Sequence, residues 1–187
     1  MKRALTIIAI ILAADQFLKI YIKTHFAIGY EKPLIGNWLL LHFIENNGMA
    51  FGLELGGSWG KILLSSLRIL LVGGIGILIY NLIKTKQKTG VIACFSLIFA
   101  GAVGNIIDSL CYGLLFSESS PITVATLLPE SGGYSTALHG KVVDMIYFHA
   151  QWPQWMPWIG GNEVFPHVFN IADAAITTGV LTLIVFH

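Results

Sequence analysis

Four windows of the chain, residues 4–22, 62–83, 91–107 and 168–186, are almost continuously apolar, and the segments between them return to polar residues, glycine and proline. Each window approaches the about 20 residues that an α-helix needs to cross a hydrocarbon core of about 30 Å. The pattern therefore predicts four transmembrane helices. The intervening segments have a different rhythm. Residues 37–44, NWLLLHFI, form a β-prone run that leads to the turn-forming Asn46-Asn47-Gly48, so a small sheet lying on the membrane is expected there. Trp152, Trp155 and Trp158, spaced by Pro153 and Pro157, suit a loop resting at headgroup level. Residues 117–140, rich in Ser, Gly and Thr, read as an exposed insertion. The predicted class is an all-α membrane protein, with four transmembrane helices and a small extracytoplasmic β-rich cradle, in a single domain over residues 1–187.

Composition agrees with lipid as the solvent. Of the 187 residues 55% are hydrophobic and only 11% charged, about half the charged share of a soluble domain, and mean hydropathy is +0.74. A net charge of +1 gives no electrostatic footprint for nucleic acid. Cys94 and Cys111 stand in one apolar stretch, which as a helix separates them by roughly 25 Å, too far for a disulfide. Asp15 and Lys19 interrupt the first window and no A-x-A site follows it, so it is read as a retained span rather than a cleaved leader.

Charge placement sets the orientation. Lys2, Arg3, Lys84, Lys86 and Lys88 fall at the amino terminus and between the second and third windows, which the positive-inside rule assigns to the cytoplasm. Segments 23–61 and 108–167, which hold all six glutamates, are then extracytoplasmic, and both termini cytoplasmic.

The four aspartates, Asp15, Asp108, Asp144 and Asp173, differ from the glutamates in lying within or beside apolar segments, where an ionisable group is costly and functional by default. At about 1.5 Å of rise per residue, Asp15, Asp108 and Asp173 reach the outer half of the bilayer. Asp144, in VVDMIYF, meets that level if its segment packs on the helix ends. Asn105-Ile-Ile-Asp108 and Asn170-Ile-Ala-Asp173 repeat one device, an Asn and an Asp three apart on a helix face, so that each amide can donate to a neighbouring carboxylate. Gly101 and Gly104, with Ala172, Ala174 and Ala175, let the two helices approach closely.

Two carboxyl groups held close together cannot both ionise easily, and the pair can activate water with neither metal nor covalent nucleophile. The six histidines lack H-E-x-x-H or other ligand spacing, and no G-x-S-x-G occurs, so zinc, cofactors and a serine nucleophile are not expected. Taken alone, the aspartates fit catalysis about as well as a polar helix contact or the proton relay of a small proton-coupled transporter. Asp15 with Lys19 reads as an ion pair one helical turn apart, and Arg68 as a side chain snorkelling to the headgroups.

Five segments in order, DQFLK (15–19), NNGMAFG (46–52), GAVGNIID (101–108), VVDM (142–145) and FNIADAAI (169–176), resemble the signal peptidase II family of lipoprotein signal peptidases. The resemblance implies an aspartyl endopeptidase of the bacterial cytoplasmic membrane that cuts diacylglyceryl-modified prolipoproteins before the lipidated cysteine. It implies Asp144 and Asp173 as the catalytic pair. Asp15, Lys19, Asn46, Gly48, Asn105, Asp108 and Asn170 become site-supporting or substrate-binding. Lipidated prolipoprotein and membrane lipid are the expected partners of a monomeric chain. Two positions depart from the family's pattern: Ser109 stands where Arg commonly follows the GNxxD aspartate, and Met49 where alanine is usual. A missing Arg removes a bidentate donor, for which Arg68 or Lys141 could substitute.

Overall fold

The computed structural model describes residues 1–47 and 57–187. The chain runs α1 (Lys2–His25), β1 (Glu31–Ile35), β2 (Leu39–Asn46), α2 (Gly57–Lys84), α3 (Thr89–Ile107), a π-helical turn (Asp108–Tyr112), the short α4 (Gly113–Leu115), β3 (Val142–Phe148), β4 (Val168–Phe169) and α5 (Ile171–Phe186). Three stretches, Lys2–His25, Ser65–Lys84 and Thr89–Leu115, are long and apolar enough to cross a membrane, and Ile171–Phe186 is a shorter apolar helix. Their large side chains point outward: Leu5, Ile10, Phe17, Leu70 and Ile184 are exposed, while Asp15, Lys19 and Lys23 are buried. Polar groups inside and apolar groups outside invert the arrangement of a water-soluble fold and suit helices whose outer solvent is lipid.

Helix α3 is central and packs on α1, α2 and α5. Glycines make its approach to α5 possible. A Cβ on Gly101 would lie 2.2 Å from the Ala172 carbonyl oxygen, and one on Gly104 would meet the Asp15 carboxylate at 2.8 Å and the Ala172 methyl at 3.2 Å. At the far end of the helices, the His187 ring is held against Gly90, so the carboxyl end of α5 lies beside the amino end of α3.

The four strands form one antiparallel sheet in the order β1-β2-β3-β4. β2 and β3, LLLHFIEN and VVDMIYF, have the branched and aromatic composition of strands, and a bulge between Leu41 and Ile44 sets Asp144 opposite Ile44. A hydrophobic core of Ile22, Phe43, Tyr112, Phe116, Ala125, Val143 and Met145 cements the sheet to the end of α1 and the π-helical turn. It fixes β3 on the helix ends.

Three local expectations change. The window beginning at residue 168 opens with a strand: Val168 and Phe169 pair with Tyr147 and Ile146, and α5 begins only at Ile171. Helical structure continues past residue 107, through the π turn, to Leu115. Residues 117–140 are more than an exposed insertion, because Ala125 and Ser119 are buried, the Ser117 and Leu128 amides bond Thr126 and Leu115 carbonyls, and the Ile28 amide donates to the Ser120 carbonyl.

Candidate active site

Polar side chains from α1, β2, α3, β3 and α5 meet where the sheet sits on the helix ends. The connection that organises them starts at α5. Asn170 is its N-cap: its side-chain oxygen accepts the Asp173 amide at 2.9 Å, and the Asp173 carboxylate accepts the Asn170 amide at 3.3 Å, a reciprocal capping box. The Asn170 amide nitrogen is thereby aimed away from the helix. It donates to Asp144 Oδ1 at 2.7 Å and lies 3.2 Å from Asn105 Oδ1. One asparagine thus links the two carboxyl-bearing residues of β3 and α5.

Asn105 performs the complementary task from α3, donating to Asp173 Oδ1 at 2.8 Å. The two Asn-x-x-Asp devices therefore interlock rather than act separately: the amide of the first serves the aspartate of the second, and the amide of the second serves Asp144 on the strand. Asn46, the last residue of β2, stands 3.5 Å from Asp144 Oδ2. Gly48 lies outside the described residues, as does Met49.

Beneath this layer Lys19 is fully buried. Its ammonium reaches Asp15 Oδ2 at 2.9 Å, Asp108 Oδ2 at 2.8 Å and Asn105 Oδ1 at 2.9 Å, which matches its three N–H donors with three acceptors. The ion pair expected within α1 is present, and it extends to a second carboxylate on the π-helical turn. Asp15 makes a further contact, accepting the Ala172 amide at 2.9 Å. Ala172 is in the first turn of α5, so this carboxylate meets an amide that has no partner within its own helix, at the end where the dipole favours negative charge.

Gln16 completes the layer and was not singled out from the sequence. Its side-chain nitrogen is shared among Asp108 Oδ1 at 2.9 Å, Asp15 Oδ2 at 3.2 Å and the Gly104 carbonyl at 3.2 Å, while its oxygen accepts the Tyr112 hydroxyl at 3.1 Å. Its position inside DQFLK, next to Asp15, was the available signal. Ser109, in place of the missing Arg, donates to the Asn105 carbonyl at 3.2 Å, a contact within its own helix that does not reach the carboxylates. Lys141 turns to Glu45 and Glu118, each at 3.7 Å, and so does not replace that Arg. Arg68, on α2, is half-buried and feels the negative charge of Asp173.

A second ionic cluster escaped the sequence reading altogether. Lys23 is buried and pairs with Glu45, its ammonium also donating to Ser119 Oγ at 2.9 Å and lying 5.4 and 5.1 Å from the Phe116 and Tyr134 ring centres. It ties α1, β2 and the segment after α4 together one residue away from Asn46.

Asp144 is 3% exposed, and its carboxyl is pushed up to about 7, first by burial and then by the negative charge of Asp173, against the opposing pull of Lys19 and of the Asn170 and Asn46 amides. A carboxyl group with such a value exchanges its proton near neutral pH. Beside Asp173 an apolar groove of about 360 Å³ opens, lined by Phe148, Phe165, Phe169, Ala174, Thr177 and Thr178.

Apolar helices carrying a small sheet over buried carboxylates are the architecture of a membrane protein with a polar site at the helix ends. Residues 7–187 match the family model described as Signal peptidase (SPase) II, and the chain belongs to that family of proteases. A lipoprotein signal peptidase of Porphyromonas gingivalis is 43% identical over 98% of this chain and 82% of its own. One from Amoebophilus asiaticus is 35% identical, over 91% of this chain and 71% of its own. Two solved chains of a bacterial membrane enzyme crystallised in meso are each 25% identical and cover 99% of this chain, with TM-scores of 0.63 and 0.64 over 87% and 92% of their own lengths. The proton-coupled transporter considered as an alternative finds no support among these relatives.

Proposed function

We propose that Asp144 and Asp173 are the catalytic pair with which this membrane protease removes signal peptides from prolipoproteins. Activity on prolipoproteins follows from the family and from its relatives' activity as lipoprotein signal peptidases. The observation that carries the pair is the Asn170 bridge, which donates to Asp144 while its oxygen holds the amide of Asp173. With one proton shared between the two carboxyl groups, the ionised one takes a proton from water as that water attacks the scissile carbonyl. The protonated one then donates to the departing amine as the C–N bond breaks. The products are the free signal peptide carboxylate and the amine of the lipid-modified cysteine.

Asp15, Lys19, Gln16, Asn105 and Asp108 support this pair, and Asn46 approaches it from the sheet. No resident cofactor is assigned a step. The apolar groove along Asp173, Ala174 and Thr177 receives the apolar part of a substrate arriving within the bilayer plane.

The same reading gives a four-span topology in the bacterial inner membrane. α5 has 16 residues, about 24 Å of helix, which falls short of a full hydrocarbon core. Because it begins at the site layer it needs to cross only what lies beneath. In this reading the lysines of the α2–α3 connection and the amino terminus face the cytoplasm and the site opens toward the extracytoplasmic face; the position of His187 against Gly90, next to that connection, supports a cytoplasmic carboxyl terminus. One copy contains every residue invoked.

The decisive experiment is cleavage of a diacylglyceryl-modified prolipoprotein by the purified protein and by its Asp144→Asn and Asp173→Asn variants. Loss of about a thousandfold or more in each, roughly 4 kcal/mol of transition-state stabilisation, supports the pair. Near-normal cleavage by Asp144→Asn with an inactive Asp108→Asn would transfer the role to Asp108.

A further inference from the structure

The segment between β3 and β4 is a compact hairpin. Gln151 bridges Glu163, the Trp152 amide donates to the Asn162 carbonyl at 2.9 Å, the Val164 amide to the Ala150 carbonyl at 2.7 Å, and the Gly160 and Asn162 amides close the tip onto Met156 and Ile159 at 3.0 Å each. These backbone hydrogen bonds hold the hairpin together, yet its largest side chains are not buried. Trp158 is 98% exposed and Trp155 is 78% exposed. Trp158 also has a φ of 65°, the left-handed region that a bulky residue enters only at a cost and that glycine enters freely. A strained backbone that displays an indole is a poor solution in water. It calls for an environment that takes up the ring.

The chemistry of the tip selects among environments. Residues 150–166 contain no Lys or Arg, and their one acidic residue, Glu163, is engaged at the base by the Tyr147 hydroxyl. Pro153 and Pro157 restrict the chain between the tryptophans. Uncharged, rigid and rich in indole, the tip fits the boundary between headgroups and acyl chains, where an amphipathic ring keeps its N–H wet and its body dry. The base of the hairpin is continuous with the lipid-facing helices. Phe165 contacts Phe169 edge-on with centres 5.8 Å apart, Phe169 lies 5.4 Å from Phe148, and Phe169 leads through Asn170 directly into α5, whose Leu181, Ile184 and Val185 are exposed.

We propose that residues 150–164 form a membrane-surface anchor in which Trp155 and Trp158 enter the headgroup boundary of the bilayer that the chain's own helices span. The anchor holds Phe165 and Phe169 at the mouth of the groove beside Asp173, so that the groove stays open toward substrate in the membrane plane. The proposal rests on the membrane-spanning reading and not on which aspartates are catalytic.

Tryptophan fluorescence of the full chain in phosphatidylcholine vesicles tests it, comparing the wild type with Trp158→Gly and Trp158→Phe. Glycine accepts the backbone angle, so the fold is preserved, and the difference spectrum isolates the Trp158 emission. That emission is expected to be quenched several-fold by lipids brominated near the top of their acyl chains and to be untouched by aqueous iodide. With no cationic residue at the tip, replacing part of the lipid by phosphatidylglycerol leaves the result unchanged. Quenching by iodide instead would place the ring in water and overturn the proposal, and protection from both quenchers would overturn it equally by placing the ring against protein. No cleavage is read, so the outcome is independent of the catalytic assignment.

Discussion

Asn105 donates to Asp173 at 2.8 Å across a sequence separation of 68 residues, while Asn170, three residues before Asp173, turns its own amide to Asp144. Each aspartate is therefore served by an asparagine from another element. The carboxyl geometry depends on how α3, α5 and β3 are docked, and most single changes that loosen this docking should reduce activity before they unfold the chain.

Asn170 serves both the helix cap and the Asp144 carboxyl. Asn170→Asp keeps a good helix cap but loses the amide that serves Asp144, and adds a negative charge beside it. Cleavage should fall by about a hundredfold or more, roughly 2.7 kcal/mol, and the added buried carboxylate should also lower the melting temperature. Asn170→Ala should lose activity and, in addition, about 0.5–2 kcal/mol of stability from the missing cap, measurable by unfolding in detergent.

Lys19 is the only cation paired with both Asp15 and Asp108 among the described residues. Lys19→Met leaves two buried carboxylates without it, and removing one partner of a buried ionic group costs about 3–5 kcal/mol. A large drop in melting temperature is expected. Lys19→Arg should not rescue it, because a planar fork cannot reproduce three tetrahedral contacts in a closed site.

Glycine at 101 is a spacing device. Gly101→Ala sets a methyl group against the Ala172 carbonyl, which is backbone and cannot swing aside. Displacement of α5 should cost about 1–3 kcal/mol and lower kcat more than it raises KM, as Asp173 is carried off its partners. Steady-state cleavage in lipid distinguishes this from a loss of substrate affinity.

The Asp144 carboxyl, raised to about 7, makes a signed prediction. The unfolded chain loses this proton in the ordinary carboxylate range near 4, whereas the folded chain keeps it until about 7. Across that window the native state binds more protons, so this group's contribution to stability falls as pH rises and levels off above 7. Asp144→Asn should remove that slope, seen as the difference between the two proteins' melting temperatures across the range. Cleavage should decline above pH of about 7 as the shared proton is lost.

The buried pair of Lys23 and Glu45 should govern the segment after α4. Lys23→Met is expected to expose residues 117–140 to limited proteolysis and to lower activity through Asn46, while Ser119→Ala does so more weakly.

Legibility from the sequence divides along physical lines. The apolar helices could be read because lipid-facing surface requires an unbroken apolar run, and the four aspartates could be singled out because an ionisable group within or beside such a run is costly. The interlocking of Asn105 and Asn170 was foreshadowed by their repeated spacing. Val168 and Phe169 were absorbed into the last window because a strand of two apolar residues has no period of its own and resembles the first turn of the helix that follows. Lys23 and Glu45 gave no sign of their pairing, since a charge at the end of a span normally reaches water and only the fold closes a pocket of Phe116, Tyr134 and Ser119 around it. The order of residues 117–140 likewise depends on contacts with α1 and the sheet, which no local composition encodes.

The carboxylate of Asp15 on the amide of Ala172 joins residues 157 positions apart. Its consequence concerns biogenesis. α1 is synthesised before α5, so its acidic group finds this partner only after α5 has followed. Until then Asp173 has not been delivered and the other carboxylates lack the helix that organises them. On the proposed pairing of Asp144 with Asp173, a growing chain that has not yet delivered α5 would therefore be inert.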